Sequence, residues 1–149
     1  MPFIEPMNCP LYLVSRLSLV ITSALKKRLT EAGLGHVKPA YLWVLLSLWV
    51  TDGLKVTDIA RKAGLDTSTM TGLLDRMERD GLVARTADIR DRRTLRIYLT
   101  DEGKRIQEPV MAETLQVLDE CFGGIPEADL EVTKRTLARV LSRVREEGE

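Results

Sequence analysis

Residues 55–99 read KVTDIARKAGLDTSTMTGLLDRMERDGLVARTADIRDRRTLRIYL, and the order of patterns within them sets the fold. A short helix is predicted from Thr57, whose hydroxyl suits an N-cap, with Ile59, Ala60 and Ala63 on one face. Ala60 is small enough for a second helix to cross closely, and Gly64 suits the left-handed backbone that stops a helix. Leu65 anchors the turn, Asp66 or Thr67 caps the next helix, and Met70, Leu73, Leu74 and Met77 recur at helical spacing. Gly81 closes that helix. Beyond it, LVARTA and TLRIYL read as strands around the turn DIRDRR, with Leu95, Ile97 and Leu99 on the face to be buried. Helix, turn, helix and hairpin in this order make a winged helix-turn-helix.

The second helix carries Ser68, Thr69, Thr71, Gly72, Asp75, Arg76 and Arg79 opposite its apolar stripe. At roughly 20 Å it is long enough to lie in a DNA major groove. Ser68, Thr69 and Thr71 would then meet base edges or phosphates, with Arg76 nearby on either. In the hairpin turn, Arg90, Arg92 and Arg93 alternate with Asp88 and Asp91. An arginine at such a tip enters a narrow minor groove, and the aspartates are expected to brace neighbouring guanidiniums. Arg79 and Arg85 complete the expected DNA contacts. The bland alternative is a helical hairpin with a solvated face and a wing laced with weak ion pairs.

The run GLVARTADIRDRRTLRIYLTDEG (residues 81–103) resembles the wing signature of the MarR (multiple-antibiotic-resistance regulator) family. Gly81, Leu82, Val83, Arg85, Asp88, Arg90, Asp91, Arg92, Arg93, Leu99, Thr100 and Gly103 occupy the matching positions. The resemblance implies a dimeric winged-helix regulator of roughly palindromic DNA, usually a repressor relieved by a small effector. Val37-Lys38-Pro39-Ala40-Tyr41 departs from the family, with lysine and tyrosine where the family often has a leucine-threonine pair and, shortly after, a glutamine. Losing a capping hydroxyl at Lys38 costs about 1 kcal/mol, partly offset if Pro39 pre-sets the first turn.

Composition agrees. The 149 residues are 44% apolar and 30% charged, which fits one soluble globular domain with a real core. The longest apolar run, residues 40–50, is too short to span a bilayer, and no basic leader with a cleavage site opens the chain. Cys9 and Cys121 have no disulfide or metal spacing, so a reducing cytoplasm and no metal or cofactor are expected. The net charge of zero hides an asymmetry: residues 55–96 hold ten basic and seven acidic side chains, leaving that segment at +3 and the rest at −3. Local phosphate contacts, rather than net charge, set the electrostatic part of DNA binding.

The flanks, residues 10–32 and 100–147, are expected to be dimerisation helices, giving a mostly α architecture with a small β-hairpin wing. Leu13, Leu17, Val20, Ala24 and Leu25 share a broad face ahead of a solvated Lys26-Lys27-Arg28 turn. Residues 41–50 read as a helix apolar almost all round, hence buried, with Trp43 and Trp49 in the core. Thr100 caps a further helix that Pro109 should bend, Gly123-Gly124 ends it, and Pro126 opens the last. Along the last, Leu130, Leu137, Val140, Leu141 and Val144 repeat, and a second copy of the chain would cover them.

Other functions find little support. His36, the sole histidine, lies in a turn with no nucleophile motif beside it, so it reads as a surface or capping residue and no enzyme is expected. A winged helix serving as a protein-protein module is opposed by the wing arginines. For control, Tyr12, Tyr41 and Trp43 either line an effector pocket between dimer frame and winged domain or belong to the core. Cys9 with Tyr12 and Tyr41 also resembles the hydroperoxide-sensing branch of the family, displaced by one residue; alternatively Cys9 is a small buried apolar residue.

Overall fold

The computed structural model describes residues 5–146. The chain separates into two compact units, the first ending at Val117 and the second beginning at Leu118. A 3-10 turn, Pro6–Asn8, precedes helix α1 (Pro10–Glu31), whose Pro10 takes the initial position, where a missing amide matters least. Only Leu25 and Leu29, near its C-terminal end, are buried, while residues 10–20 are exposed throughout. At the end of α1, Lys26 and Lys27 are exposed as expected, and only Arg28 departs. Arg28 is half-buried, its Nε 3.2 Å from Glu113 Oε2.

A 3-10 turn, Pro39–Tyr41, leads into α2 (Leu42–Val50). Leu42, Val44, Leu45 and Leu48 are buried, but Trp43 is 57% exposed, so the expectation of an all-round buried helix fails on one side. The helix packs through one face only. Trp49 keeps the expected inward position, half-buried with its indole N–H donating to the Gly103 carbonyl at 2.9 Å.

Strand β1 (Leu54–Lys55) is followed directly by α3 (Val56–Ala63) and α4 (Thr67–Arg79). Strand β2 (Val83–Ala87) and strand β3 (Leu95–Leu99) form the wing. The sheet has three strands in the order β1-β3-β2, so the expected hairpin gains a strand. Leu54 pairs with Ile97 and Lys55 with Arg96, a bridge of two residues too short to leave a periodic signal. That bridge also overturns the Thr57 cap. Pairing holds Lys55 extended, so α3 starts immediately at Val56 and Thr57 lies inside it.

Between α3 and α4 the backbone behaves as its residues dictate. Gly64 has φ +67°, and Leu65 N–H donates back to the Ala60 carbonyl at 3.0 Å, closing the helix. Ile59, Met70, Leu74, Met77, Leu82 and Ile97 are fully buried and form the centre of the core. In β3, Ile97 and Leu99 face inward as predicted, but Leu95 at the wing end is exposed.

Thr100 caps α5 (Asp101–Arg105) by accepting from Gly103 N–H at 3.0 Å. Helix α6 (Gln107–Phe122) follows after Ile106. The expected bend at Pro109 therefore becomes a break three residues upstream. Pro109 has no amide for the Arg105 carbonyl and its ring crowds that oxygen, so the ladder yields there. In the second unit, α7 (Glu127–Glu146) carries Val132, Leu137, Val140, Leu141 and Val144 exposed to solvent.

Candidate nucleic-acid interface

The N-terminus of α4 is organised by one carboxylate. Asp66 accepts from the Thr69 amide at 2.8 Å, from Ser68 Oγ at 2.7 Å and from Thr69 Oγ1 at 2.8 Å. The Thr69 amide bond, with the two hydroxyls, holds the Asp66 carboxyl down at about 2. It is therefore an anion at neutral pH, and both hydroxyls must donate to it. Thr71 Oγ1 donates to the Thr67 carbonyl at 2.8 Å. Ser68, Thr69, Thr71, Arg76 and Arg79 are all exposed on the side of α4 opposite Met70, Leu74 and Met77.

The wing turn is fastened from within. Asp88 accepts from the Arg90 amide at 2.9 Å and Asp91 from the Arg93 amide at 3.0 Å. The Thr94 carbonyl accepts from the Asp88 amide at 2.8 Å. Among the turn arginines, the expected bracing of guanidiniums is thus replaced by bracing of backbone. Arg90, Arg92 and Arg93 themselves project into solvent.

The guanidinium that Asp88 does brace belongs to Arg96, which the sequence reading left out of the interface. Arg96 Nε donates to Asp88 Oδ2 at 2.7 Å and its Nη1 donates to the Gly53 carbonyl at 2.8 Å. The Arg90 amide and then Arg96 hold the Asp88 carboxyl below the ordinary range. Gly53 has φ +71°, where a side chain is strained, and a Cβ there would meet the Tyr98 ring at 2.7 Å and force it to shift. Asp52 Oδ1 adds a bond from the Leu99 amide at 2.9 Å. The outward alternation of Arg96 in β3 was the available signal; its partner Gly53, 43 residues away, was not.

Arg85 stands differently from the other expected contacts. Its guanidinium donates to Asp75 Oδ1 at 2.5 Å and to the Thr71 carbonyl at 3.0 Å, with Glu78 3.8 Å away. Its side chain is only 20% exposed. Arg85 thus clamps β2 to α4 rather than reaching outward. A groove of about 360 Å³ brings Thr67, Thr71 and Arg85 together with Arg93 and Thr94 of the wing.

Around this surface, polar ties join the connector after α1 to the rest of the first unit. Tyr41 is buried and its hydroxyl donates to Asp80 Oδ2 at 2.6 Å, at the C-terminal end of α4. Burial first, and this bond second, push the Tyr41 phenol up to about 12. His36 Nε2 lies 2.9 Å from Glu102 Oε1, and Glu102 also receives both Arg105 donors. Arg105 foremost, then His36, holds the Glu102 carboxyl down at about 2, so Nε2 carries the bonded proton. The turn histidine is a cross-link to Glu102.

The expected control residues separate. Tyr12 and Trp43 are exposed, Tyr41 is buried with its hydroxyl engaged, and Cys9 is half-buried at the N-cap of α1. Among the described residues no helix is long and apolar enough to cross a membrane, and no cluster of side chains could hold a metal ion.

Comparison with known proteins places this geometry. The MarR family model matches residues 39–95, from the 3-10 turn to the start of β3. SarZ, a transcriptional regulator of Staphylococcus saprophyticus, is 40% identical over 91 residues. That match covers 60% of this chain and 62% of SarZ, so the chain spans about three fifths of that relative's length. The transcriptional activatory protein BadR of Rhodopseudomonas palustris is 32% identical over 79% of this chain and 69% of BadR.

Solved structures extend the likeness. CouR of Rhodococcus jostii RHA1, bound to p-coumaroyl-CoA, superposes with a TM-score of 0.77 at 26% identity over 93% of this chain and 96% of CouR. Reduced AbfR bound to DNA gives 0.71 at 26% identity over 89% and 88% of the two chains. A MarR-family transcriptional regulator of Rhodococcus sp. RHA1 gives 0.71 at 30% identity over 87% of this chain and 90% of its own. With the winged fold, the wing signature and identity of this extent in agreement, the chain belongs to the MarR family of transcriptional regulators.

Proposed function

We propose that this chain is a cytoplasmic, homodimeric regulator that binds duplex DNA through α4 and the wing and represses from a roughly palindromic operator until a small molecule releases it. The observation that carries the reading is the wing turn, which holds Arg90, Arg92 and Arg93 in solvent on a backbone pinned by Asp88 and Asp91. Cations presented on a pre-formed turn bind phosphate and groove with little ordering cost. The AbfR neighbour supports the DNA partner, being itself bound to DNA. Exposed apolar side chains support the dimer: Leu11, Leu17 and Val20 on α1, and Leu137, Val140, Leu141 and Val144 on α7. A symmetric pair places two copies of α4 about one DNA turn apart, roughly 34 Å.

Selection from a random-sequence duplex pool tests the reading. Palindromic sequences should be enriched, and affinity for them should fall steeply with salt as counterions are released. A chain that enriches no duplex overturns DNA binding and leaves the protein-protein module.

For control, the exposed Tyr12 and Trp43 are the proposed effector contacts, and the CouR neighbour supports a small organic ligand because it is bound to one. Tyr41 counts against the thiol route, because its hydroxyl is held by Asp80 rather than free for Cys9. Peroxide should therefore leave wild-type protein and Cys9→Ser on DNA alike; release of wild type alone would assign control to Cys9.

A further inference from the structure

Ile89 is 98% exposed, between Asp88 and Arg90 in a turn whose other residues are all polar or charged. The fold gives it no packing role, and its backbone is held on both sides. Asp88 bonds the Arg90 amide and the Arg96 guanidinium, while the Asp88 amide closes on Thr94. A β-branched side chain on a fixed backbone has little rotamer freedom left to lose on binding. Beside it runs an open concavity of about 630 Å³, lined by Ala87, Ile89 and Tyr98 together with Arg90 and the Asp88–Arg96 ion pair.

Apolar side chains beside the exposed Arg90 match one chemistry that this arginine already selects, the C–H edge of a deoxyribose beneath its phosphate. A solvated isoleucine gains by packing there, because apolar surface leaves water on both partners. We propose that Ile89 is a further DNA-contact residue, packing against the sugar wall of the minor groove beside Arg90 and supplying the part of the affinity that does not depend on salt. This rests on the DNA-binding reading above.

The experiment uses the full chain and a duplex that it has itself enriched from a random pool, with affinity measured across a salt series. Ile89→Ala removes three carbons from the contact and should weaken binding about tenfold. The slope of log affinity against log salt should match wild type, since no phosphate contact is lost. Ile89→Val should recover most of the loss, and the thermal midpoint should not move. Arg90→Ala, in contrast, should flatten the slope. Affinity of Ile89→Ala within about twofold of wild type, or a flattened slope in that variant, overturns the proposal while leaving DNA binding intact. Failure of the wild-type chain to enrich any duplex overturns the parent reading, a different result.

Discussion

Among single residues, Arg85 and Arg90 separate two jobs that one wing motif contains. Arg90 is exposed, so Arg90→Ala should weaken DNA binding and reduce the salt slope by about one. Arg85 is clamped to Asp75 and the Thr71 carbonyl, so Arg85→Ala should weaken binding to all duplexes alike with the salt slope kept. Faster amide exchange in β2 should accompany it. A slope change in Arg85→Ala equal to that of Arg90→Ala would return Arg85 to the phosphate contacts. Tyr41 makes a second test, through pH. Its phenol, raised from 10.0 to about 12 in the folded state, contributes stability that is complete below pH 10 and lost as pH rises through 12. Tyr41→Phe should remove the phenolate absorbance step near 12 and flatten that alkaline decline. Local roles were legible in the sequence: the Gly64 stop, the Asp66 cap and the Thr100 cap each involve neighbours within one turn. The ties of Arg85, Tyr41 and Arg96 were not, because their partners lie 10, 39 and 43 residues away.

Helices α3 and α4 and the two wing strands could be read from periodicity, because each buries one face against a single core. The two-residue β1 could not, and it alone displaced the start of α3. Trp43 misled for a related reason: an almost uniformly apolar helix does not say which side is covered. Within α4, Arg76 remains to be sorted into base reading or backbone positioning. Arg76→Ala should be measured on an enriched duplex and on random duplex. A loss of roughly 1–3 kcal/mol confined to the enriched sequence marks a base contact. Equal losses mark a phosphate contact. The core beneath sets the stability of this element: Leu74→Ala, fully buried on α4, should cost about 2–5 kcal/mol in denaturant unfolding.

On the scale of the whole molecule, most of what remains unexplained within one chain is apolar surface on α1 and α7. Replacing Leu137 and Leu141, 40% and 60% exposed, by aspartate should leave secondary structure in place and shift the molecule to monomers in sedimentation. DNA affinity should fall with it, since two half-sites then bind independently. Wild-type monomers at micromolar concentration that hold a palindrome tightly would defeat the homodimer. The three hydroxyls of α4 carry one last consequence. A hydroxyl has a single hydrogen to give, and Ser68, Thr69 and Thr71 already give theirs to Asp66 and to the Thr67 carbonyl. What their oxygens have left for a partner is lone pairs. In a major groove lone pairs are answered by the exocyclic amino groups of adenine and cytosine, and the paired acceptors of guanine find no proton there. In the proposed major-groove contact the oxygens of these three side chains would accept only from amines, and guanine would be left to the arginines.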